Sequence, residues 1–249
     1  MNNGALRALA PLGLLLALLL ALVACAPPPA PPPAPARGAP ADFPSQTYRR
    51  AAAQAKPVYR VDTRDSRILI DVYRGGILAR MGHDHVVASH DVHGYAVFPA
   101  DGSGVRADLY FPVSTLSVDE AALRADAGLE TTPSAEDIQG TRRHMLHSVL
   151  EAQEYPYVRL RVTRISGRPP DVLVSCELTL HGQTHALEVP ARVNRNRPRL
   201  SATGELTIRQ TDFGITPYSV LGGALAVKDE IRIRFELRGE PATDADFSS

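Results

Sequence analysis

Apolar and polar residues alternate with a period of two through most of the chain after Val58. In the segment "VRLRVT" at 158–163, valine and leucine alternate with arginine and threonine, and "IRIRFEL" at 231–237 and "LSATGELTI" at 200–208 follow the same rule. This period places apolar side chains on one face of a β-strand and polar side chains on the other. It is typical of an antiparallel sheet with one face in water, and it predicts an all-β domain.

Further alternating segments bring the total to about eight predicted strands, and these segments lie at 67–73, 92–98, 106–113, 172–180 and 185–193. A sheet of this size must bury its apolar face, and the chain has no second layer of comparable size to cover it. We therefore expect the sheet to close on itself as an extended antiparallel eight-stranded barrel. The interior of such a barrel is either filled by side chains or open enough for one small ligand.

Small residues at inward positions bear on this choice, and they are Gly94, Ala96, Ala107, Ala191, Ala202 and Gly204. Such residues leave room for a ligand, but they also fit the taper of a filled barrel. Both interpretations stay open on composition alone. Cys176 has the same inward parity as Val174 and Leu178, so we expect it to be an inert thiol of the core.

One segment, 134–152, breaks the rhythm of alternation. Ser134 precedes it as an N-terminal cap, and apolar residues then recur near helical spacing. These residues are Ile138, Met145, Leu146, Val149 and Leu150. The segment predicts a short helical region that crosses one end of the barrel.

The N-terminal segment has the features of an export signal. Arg7 lies before a run of leucine and alanine that ends at Ala24 and contains Pro11, which suits the apolar region of a signal peptide better than a membrane-spanning helix. The residues "LVAC" at 22–25 resemble a bacterial lipoprotein box, and this resemblance implies cleavage before Cys25 and lipidation of its thiol. It also implies a location in the bacterial cell envelope, facing the periplasm.

The chain therefore divides into four predicted regions: a lipoprotein signal peptide at 1–24, a Pro/Ala-rich tether at 25–56, the barrel domain at 57–240 and a disordered tail at 241–249. The part of the tether at 26–44 is too rich in proline and alanine to form a core and would act as a semi-rigid spacer. The part at 46–55 is expected to form a helical turn or two. Residue 26 is alanine rather than aspartate, so we expect the lipid anchor to lie in the outer membrane rather than the inner one.

The stretch "LSATGELTIRQTDFGITPYSVLGGALAVKDEIRIRFEL" at 200–237 resembles the YceI-like family. The segments "YRVDTRDSRI" at 59–68, "HMLHSVLEAQEYPYVRLRV" at 144–162 and "LTLHGQTHALEVP" at 178–190 agree with it. The resemblance implies a lipocalin-like barrel whose apolar interior holds a long isoprenoid chain. It also implies a binding protein rather than an enzyme, because the family has no shared catalytic residues.

From this resemblance we expect the ligand to be an isoprenoid lipid or a quinone, and the sequence identifies no cofactor beyond these. Its hydrocarbon tail would be removed from water by inward side chains of the strands, which are Ile70, Phe98, Leu109, Phe111, Leu160, Val162, Leu206, Ile233 and Phe235. Tyr218 and the loop at 221–225 either gate the mouth of the barrel or simply connect its last strands. Formal net charge is zero, with 27 basic and 27 acidic residues, which argues against a nucleic-acid partner. The oligomeric state stays open.

The segment "RMGHDHVVASHDVHG" at 80–94 is rich in histidine. In an extended chain, His83 and His85 share a face and Asp84 points away. The pair has three interpretations: a structural loop at one rim of the barrel, a polar contact for a ligand headgroup, or part of a metal site. Two imidazoles need further metal ligands, for which the candidates are His90, His93, His144 and His147. The alternative function is therefore a metal-binding or redox accessory protein that uses His83 and His85.

Overall fold

The alternating segments form the strands of one antiparallel sheet in the computed structural model, which describes residues 38–100, 102–129, 131–196 and 198–247. The strands are β1 (Val58–Val61), β2 (Arg67–Gly75), β3 (His85–Ser89), β4 (His93–Val97), β5 (Arg106–Pro112), β6 (Ser117–Val118), β7 (Tyr157–Arg168), β8 (Asp171–Leu180), β9 (Gln183–Asn196), β10 (Arg199–Arg209), β11 (Ser219–Val220) and β12 (Leu225–Pro241). All their pairings are antiparallel.

The sheet closes into a barrel of eight strands in the order β1-β4-β5-β7-β8-β9-β10-β12, because β12 also pairs with β1. In that closing pair Tyr59 lies opposite Pro241 and Val61 lies opposite Gly239. Strand β12 is 17 residues long, so it pairs with β10 on one side and with both β1 and β2 on the other. The prediction of an eight-stranded antiparallel barrel is confirmed.

Strands β2, β3 and β6 lengthen the wall at one end of the barrel. Strand β2 continues the position of β1 beside β12, and β3 pairs with β2 just as β4 pairs with β1. Of these three strands, the sequence pattern identified only β2, and it did not identify β3, which begins at His85, or the two-residue β6.

The helices are α1 (Ser45–Ala53), α2 (Ala121–Asp126) and α3 (Ala135–His144), and a single π-helical turn, Met145–Val149, follows α3. Short 3-10 turns lie at Ala79–Met81, Val113–Thr115, Thr211–Phe213, Leu221–Gly223 and Asp244–Phe247. Ser134 caps α3 as expected: its hydroxyl accepts from the backbone N–H of Asp137, and its own N–H donates back to that aspartate. Among the described residues, no helix has both the length and the apolar character needed to cross a membrane.

Helix α3 and its π-helical turn lie across one end of the barrel. Leu146 is almost completely buried there, in a cluster with Phe111 and Val113. Thr141 and Met145 face the barrel interior. The predicted helical segment is therefore confirmed, and it covers the end of the barrel that β2 and β3 lengthen.

Helix α1 packs against the outside of the barrel. Its Tyr48 is completely buried and donates a hydrogen bond of 2.7 Å to Asp108, which also accepts from Arg106 and Arg161. Burial alone would raise the pKa of Asp108, but these three hydrogen bonds outweigh it and hold the pKa below its usual range. The helical turns expected at 46–55 are thus present, but this part of the region 25–56 is not a free spacer, because a buried tyrosine attaches it to the domain.

The segment after β12 is also ordered where the structure describes it. Phe247 stacks on Tyr95, whose hydroxyl donates to the backbone carbonyl of Asp246, and the carboxylate of Asp246 pairs with Arg60 at 2.7 Å. The predicted disordered tail at 241–249 is therefore wrong up to residue 247. The predicted signal peptide, Cys25 and the tether as far as residue 37 lie outside the described residues, as do residues 248 and 249.

Candidate ligand cavity

The inward faces of the strands enclose a cavity of about 580 Å³. This volume falls within the range of about 300–1,000 Å³ that is usual for small-molecule sites. All the apolar residues that the sequence analysis proposed for the interior lie in the cavity lining: Ile70, Phe98, Leu109, Phe111, Leu160, Val162, Leu206, Ile233 and Phe235. Their contact with a ligand stays a prediction.

The register of the sheet explains why these side chains meet. Leu109 lies opposite Leu160, which in turn lies opposite Leu178 on the next strand. On the other side of the barrel, Ile233 lies opposite both Ile70 and Leu206. Residues directly opposite each other in neighbouring strands point to the same face, so each row of apolar residues continues around the wall.

The small inward residues fall into two kinds. Ala96 and Ala107 lie opposite each other and line the cavity with Ala202, so they do leave space. Gly204 does not, because a Cβ atom there would lie 2.6 Å from the ring of Phe235. At Gly94 a Cβ atom would lie 2.2 Å from a backbone oxygen. Of the two interpretations left open by the sequence, space for a ligand thus applies to these alanines and close packing applies to the two glycines.

Cys176 lines the same apolar wall and is 3% exposed. Burial raises the pKa of its thiol to about 11. Because the thiolate is the reactive form of cysteine, this side chain behaves as an apolar residue of the wall, as the sequence analysis expected.

Polar side chains gather at the end of the cavity that α3 covers. The lining there includes His85, Thr141, His144, Gln210 and Tyr218. The rings of His144 and Tyr218 are 4.5 Å apart, and Tyr218 is 41% exposed, so the cavity reaches the surface at this pair. Gln210 is buried, and its side-chain amide donates to the carbonyl of Lys228 at 2.9 Å.

At the opposite end the lining includes Ser201 and Arg238, beside a separate polar pocket of about 340 Å³.

His85 is held in place by a buried ionic cluster. Its Nδ1 lies 2.6 Å from Oδ2 of Asp119, whose side chain is completely shielded from solvent. Asp119 also accepts from the backbone N–H of Val86 at 3.0 Å and from the guanidinium of Arg124 at 2.6 Å. Arg124, itself buried, donates further to the backbone carbonyl of Asp84 at 2.8 Å. The cluster thus connects the histidine segment to helix α2.

This cluster determines which nitrogen of His85 is available to a ligand. Burial would raise the pKa of Asp119, but hydrogen bonds from His85, Val86 and Arg124 hold that pKa below its usual range. The carboxylate is therefore ionised and can only accept, so Nδ1 of His85 carries a proton. The other nitrogen, Nε2, has no hydrogen-bond partner among the described residues. It can accept from a hydroxyl when the ring is neutral or donate to an oxygen when it is charged.

His83 occupies a different environment from His85. The two rings lie 6.5 Å apart, but His83 is absent from the cavity lining, and its buried Nδ1 has no partner in the described part of the chain. Asp84 points away from both and accepts from the backbone N–H of Arg74 at 2.8 Å, as the extended pattern predicted.

Three of the four further metal-ligand candidates contact other side chains. His90 contacts Glu120, His93 contacts Asp91, and His144 packs on Tyr218. Within the ranges that the structure describes, no group of three or more His, Cys, Asp or Glu side chains is arranged to hold a metal ion.

Sequence reasoning missed Asp119 and Arg124. The signal for them was present: both are charged residues in the otherwise largely apolar segment "LSVDEAALRA" at 116–125. Charged residues are almost never fully buried unless they are paired, but the partner of this pair, His85, lies 34 residues from Asp119 in the chain.

The chain resembles one family model and several solved structures. The model of the YceI-like domain matches residues 59–238. The crystal structure of BcnA from Burkholderia cenocepacia is 17% identical with a TM-score of 0.56, over 74% of this chain and 99% of that one. A polyisoprenoid-binding domain from Saccharophagus degradans, implicated in plant cell wall breakdown, is 15% identical with a TM-score of 0.52, over 75% of this chain and 100% of that one. No curated protein matches the chain.

The buried cluster yields a stability prediction for Asp119→Asn. Asp119 has a left-handed φ of 54°, which asparagine also tolerates, so the substitution removes the charge and keeps the backbone. We expect a loss of about 3–5 kcal/mol of unfolding free energy at pH 7, because Arg124 is left buried without its counter-charge. Denaturant unfolding measures this loss.

The pH dependence of this loss of unfolding free energy follows from the direction in which the pKa of Asp119 is shifted. The pKa of Asp119 is lower in the folded chain than its ordinary 3.8, so its stabilisation is complete above about pH 4 and is lost as pH falls through the folded pKa. The difference in unfolding free energy between wild type and Asp119→Asn should therefore become smaller at acidic pH. Glu120→Gln is the matched control, since that neighbouring side chain is 39% exposed. An equal loss at pH 7 and at pH 2, or an equal loss in the control, would contradict the assignment.

Proposed function

The chain belongs to the YceI-like family, and from that premise we propose that its barrel binds an isoprenoid lipid or a quinone and catalyses no reaction. The observation that carries the proposal is the cavity of about 580 Å³, whose wall is apolar along every strand of the barrel. A related barrel from Saccharophagus degradans is described as a polyisoprenoid-binding domain, which supports the same ligand class here.

The physical basis is the burial of hydrocarbon. An isoprenoid tail is almost entirely apolar, and its transfer from water into the cavity is favourable by about 25 cal/mol for each Å² removed from water. An apolar wall alone cannot orient such a ligand, because it offers contact without direction. Orientation requires a few polar groups at one place in the pocket.

The polar groups beside α3 meet this requirement. We place the headgroup of the ligand there, with the tail extending toward Phe98 and Phe235. Nε2 of His85 is the nitrogen available to the headgroup, because the interaction with Asp119 occupies Nδ1, and it can accept from the hydroxyl of a prenol or of a reduced quinone. Thr141 and Gln210 lie at the same end of the lining and supply further polar contacts.

Filling the cavity should exclude the ligand and leave the fold intact. We expect Ala96→Phe to lose most of the isoprenoid lipid that co-purifies with the full-length chain, because the added ring occupies the space beside Ala107. The cost in unfolding free energy should be about 1–3 kcal/mol from overpacking. Native mass spectrometry of protein purified from cell envelopes counts the bound lipid.

The matched control is Ala186→Phe, which adds the same ring at an exposed position of β9. This control should retain the lipid of the wild type. A wild-type protein that carries no isoprenoid lipid or quinone, or an Ala96→Phe variant that retains a full complement, would refute the proposed binding site.

The headgroup assignment is tested by His85→Asn. The amide nitrogen of asparagine can replace Nδ1 toward Asp119, but nothing replaces Nε2, so the buried cluster is kept and the ligand contact is lost. We expect the affinity for farnesol, whose hydroxyl can donate to Nε2, to fall about tenfold, within the range for one lost hydrogen bond. Binding of farnesane, a hydrocarbon without a headgroup, should not change, and isothermal titration compares the two.

His90→Asn serves as the control, because His90 is exposed and contacts Glu120. Unchanged farnesol affinity in His85→Asn would remove His85 from the headgroup site. An equal loss of both ligands would show that the substitution damages the cavity instead.

We also propose that the domain works in the bacterial cell envelope, attached by lipid at Cys25. The support is the sequence alone: the apolar run before Ala24 and the similarity of "LVAC" to a lipoprotein box. Several acyl chains together anchor a protein stably, since each buried methylene contributes about 0.8 kcal/mol.

Cys25→Ser should abolish the anchor. We expect the variant to leave the outer-membrane fraction and to appear in the soluble or the unprocessed fraction, because serine offers no thiol for lipidation. Cell fractionation with immunoblotting measures this, and Cys176→Ser is the control, since Cys176 is buried in the barrel. Membrane association and processing that match the wild type would rule out lipidation at Cys25.

A further inference from the structure

Two loops at the open end of the cavity carry exposed apolar side chains. The first follows β2 and holds Ile77, 90% exposed, and Met81, 72% exposed. The second precedes β12 and holds Tyr218, 41% exposed, and Leu221, 71% exposed. Of the five large apolar side chains that are exposed in the described ranges, four lie in these two loops. Single exposed apolar residues are ordinary on protein surfaces, but a cluster marks an interaction site.

The two loops form one structural unit. The backbone N–H of Leu78 donates to the carbonyl of Ala224 at 2.8 Å. Gly76 has a φ of 83° and lies so close to the second loop that a Cβ atom there would be 2.4 Å from the same carbonyl oxygen. The loops are thus held against each other, and their apolar tips are presented together. We call these tips, Ile77, Met81, Tyr218 and Leu221, the mouth patch.

The mouth patch adjoins the opening of the cavity. Tyr218 belongs to both, since its ring packs on His144 and lines the cavity. The carbonyl of Tyr218 also accepts from the backbone N–H of Val227, another lining residue, at 2.8 Å. The apolar surface therefore continues from the loop tips into the interior of the barrel.

The charge of the two loops is one-sided. The loop segments "GILARMG" at 76–82 and "YSVLGGA" at 218–224 contain one basic residue, Arg80, and no acidic residue. The carboxylates that follow them in the chain, Asp84 and Asp229, are paired with Arg74 and Arg209. Arg80 is exposed and forms no ion pair with any residue of the described ranges. The chain as a whole has a net charge of zero, so the positive charge is local to these loops. A partner for this surface is therefore apolar and negatively charged.

We propose that the mouth patch docks on the surface of a lipid bilayer that contains anionic phospholipid. Ile77, Met81 and Leu221 enter the boundary between headgroups and acyl chains, and Arg80 contacts the lipid phosphates. The open end of the cavity then faces the lipids, so that an isoprenoid passes between bilayer and barrel without crossing water. The identity of this cargo rests on the proposed function, but docking itself does not.

The absence of tryptophan from the sequence allows a direct test. A single tryptophan is introduced into the full-length chain as Ile77→Trp, Leu221→Trp or, as a control, Leu173→Trp on the barrel wall, where the side chain is 37% exposed. Vesicles contain either phosphatidylglycerol with phosphatidylcholine or phosphatidylcholine alone. All three variants share one N-terminus, so a lipid anchor cannot cause a difference between them.

We expect anionic vesicles to shift the emission of Ile77→Trp and Leu221→Trp to shorter wavelength, and lipids with brominated acyl chains to quench it. The Leu173→Trp emission should not respond. Adding Arg80→Glu to Ile77→Trp should lower the bound fraction severalfold, as should high salt, because surface charge attraction is screened.

Emission that does not respond at positions 77 and 221 would overturn the proposal. So would a shift that occurs without vesicles and accompanies a doubled mass in light scattering, since the occupant would then be a second copy of the chain. Native mass spectrometry of the same samples separates this result from the proposed function. Failed docking leaves the co-purified lipid in place, whereas an empty cavity with an intact emission shift refutes lipid binding alone.

Discussion

Closure of the sheet through β12 is the constraint on which the rest of the structure depends. An open sheet of alternating strands would leave one apolar face in water and two edges with unpaired backbone groups. Strand β12 prevents both by pairing with β10 on one side and with β1 and β2 on the other. Once the sheet is closed, every inward residue faces other inward residues, and the space left between them is the cavity.

Buried carboxylates have different roles on the outer face of the barrel and at its α3 end. On the outer face, Asp71 is buried and receives two hydrogen bonds from Arg234 on the neighbouring strand, while Asp108 receives hydrogen bonds from Tyr48 and two arginines. These contacts attach strands and helix α1 to one another. At the α3 end, the cluster around Asp119 instead orients a side chain of the cavity lining. The same chemistry thus stabilises the wall in one place and directs His85 in the other.

The α3 end of the barrel combines three features. Polar side chains line the cavity there, Tyr218 connects the cavity to the surface, and apolar loop tips surround that opening. A lipid with a polar headgroup has a matching shape of polarity, because one end is polar and the rest of its length is apolar. The arrangement is consistent with a ligand that enters tail first and leaves its headgroup near α3.

Alternation in the sequence was enough to predict eight of the strands, the all-β class and most of the cavity wall, because alternation is a local property that a closed barrel preserves. The sequence by itself also determined the helix after Ser134, since capping depends on residues three positions apart. The YceI-like resemblance indicated the kind of ligand, and the matching domain at 59–238 agrees with that resemblance.

Only the tertiary structure decided how the distant polar groups pair. Tyr48 and Asp108 are 60 residues apart, and His85 and Asp119 are 34 apart, so no local pattern connects them. Parity alone also cannot distinguish Ala202, which leaves space, from Gly204, whose missing side chain admits the ring of Phe235. The reason is the same in each case: periodicity specifies the face on which a side chain lies, but the register of paired strands specifies what it meets there.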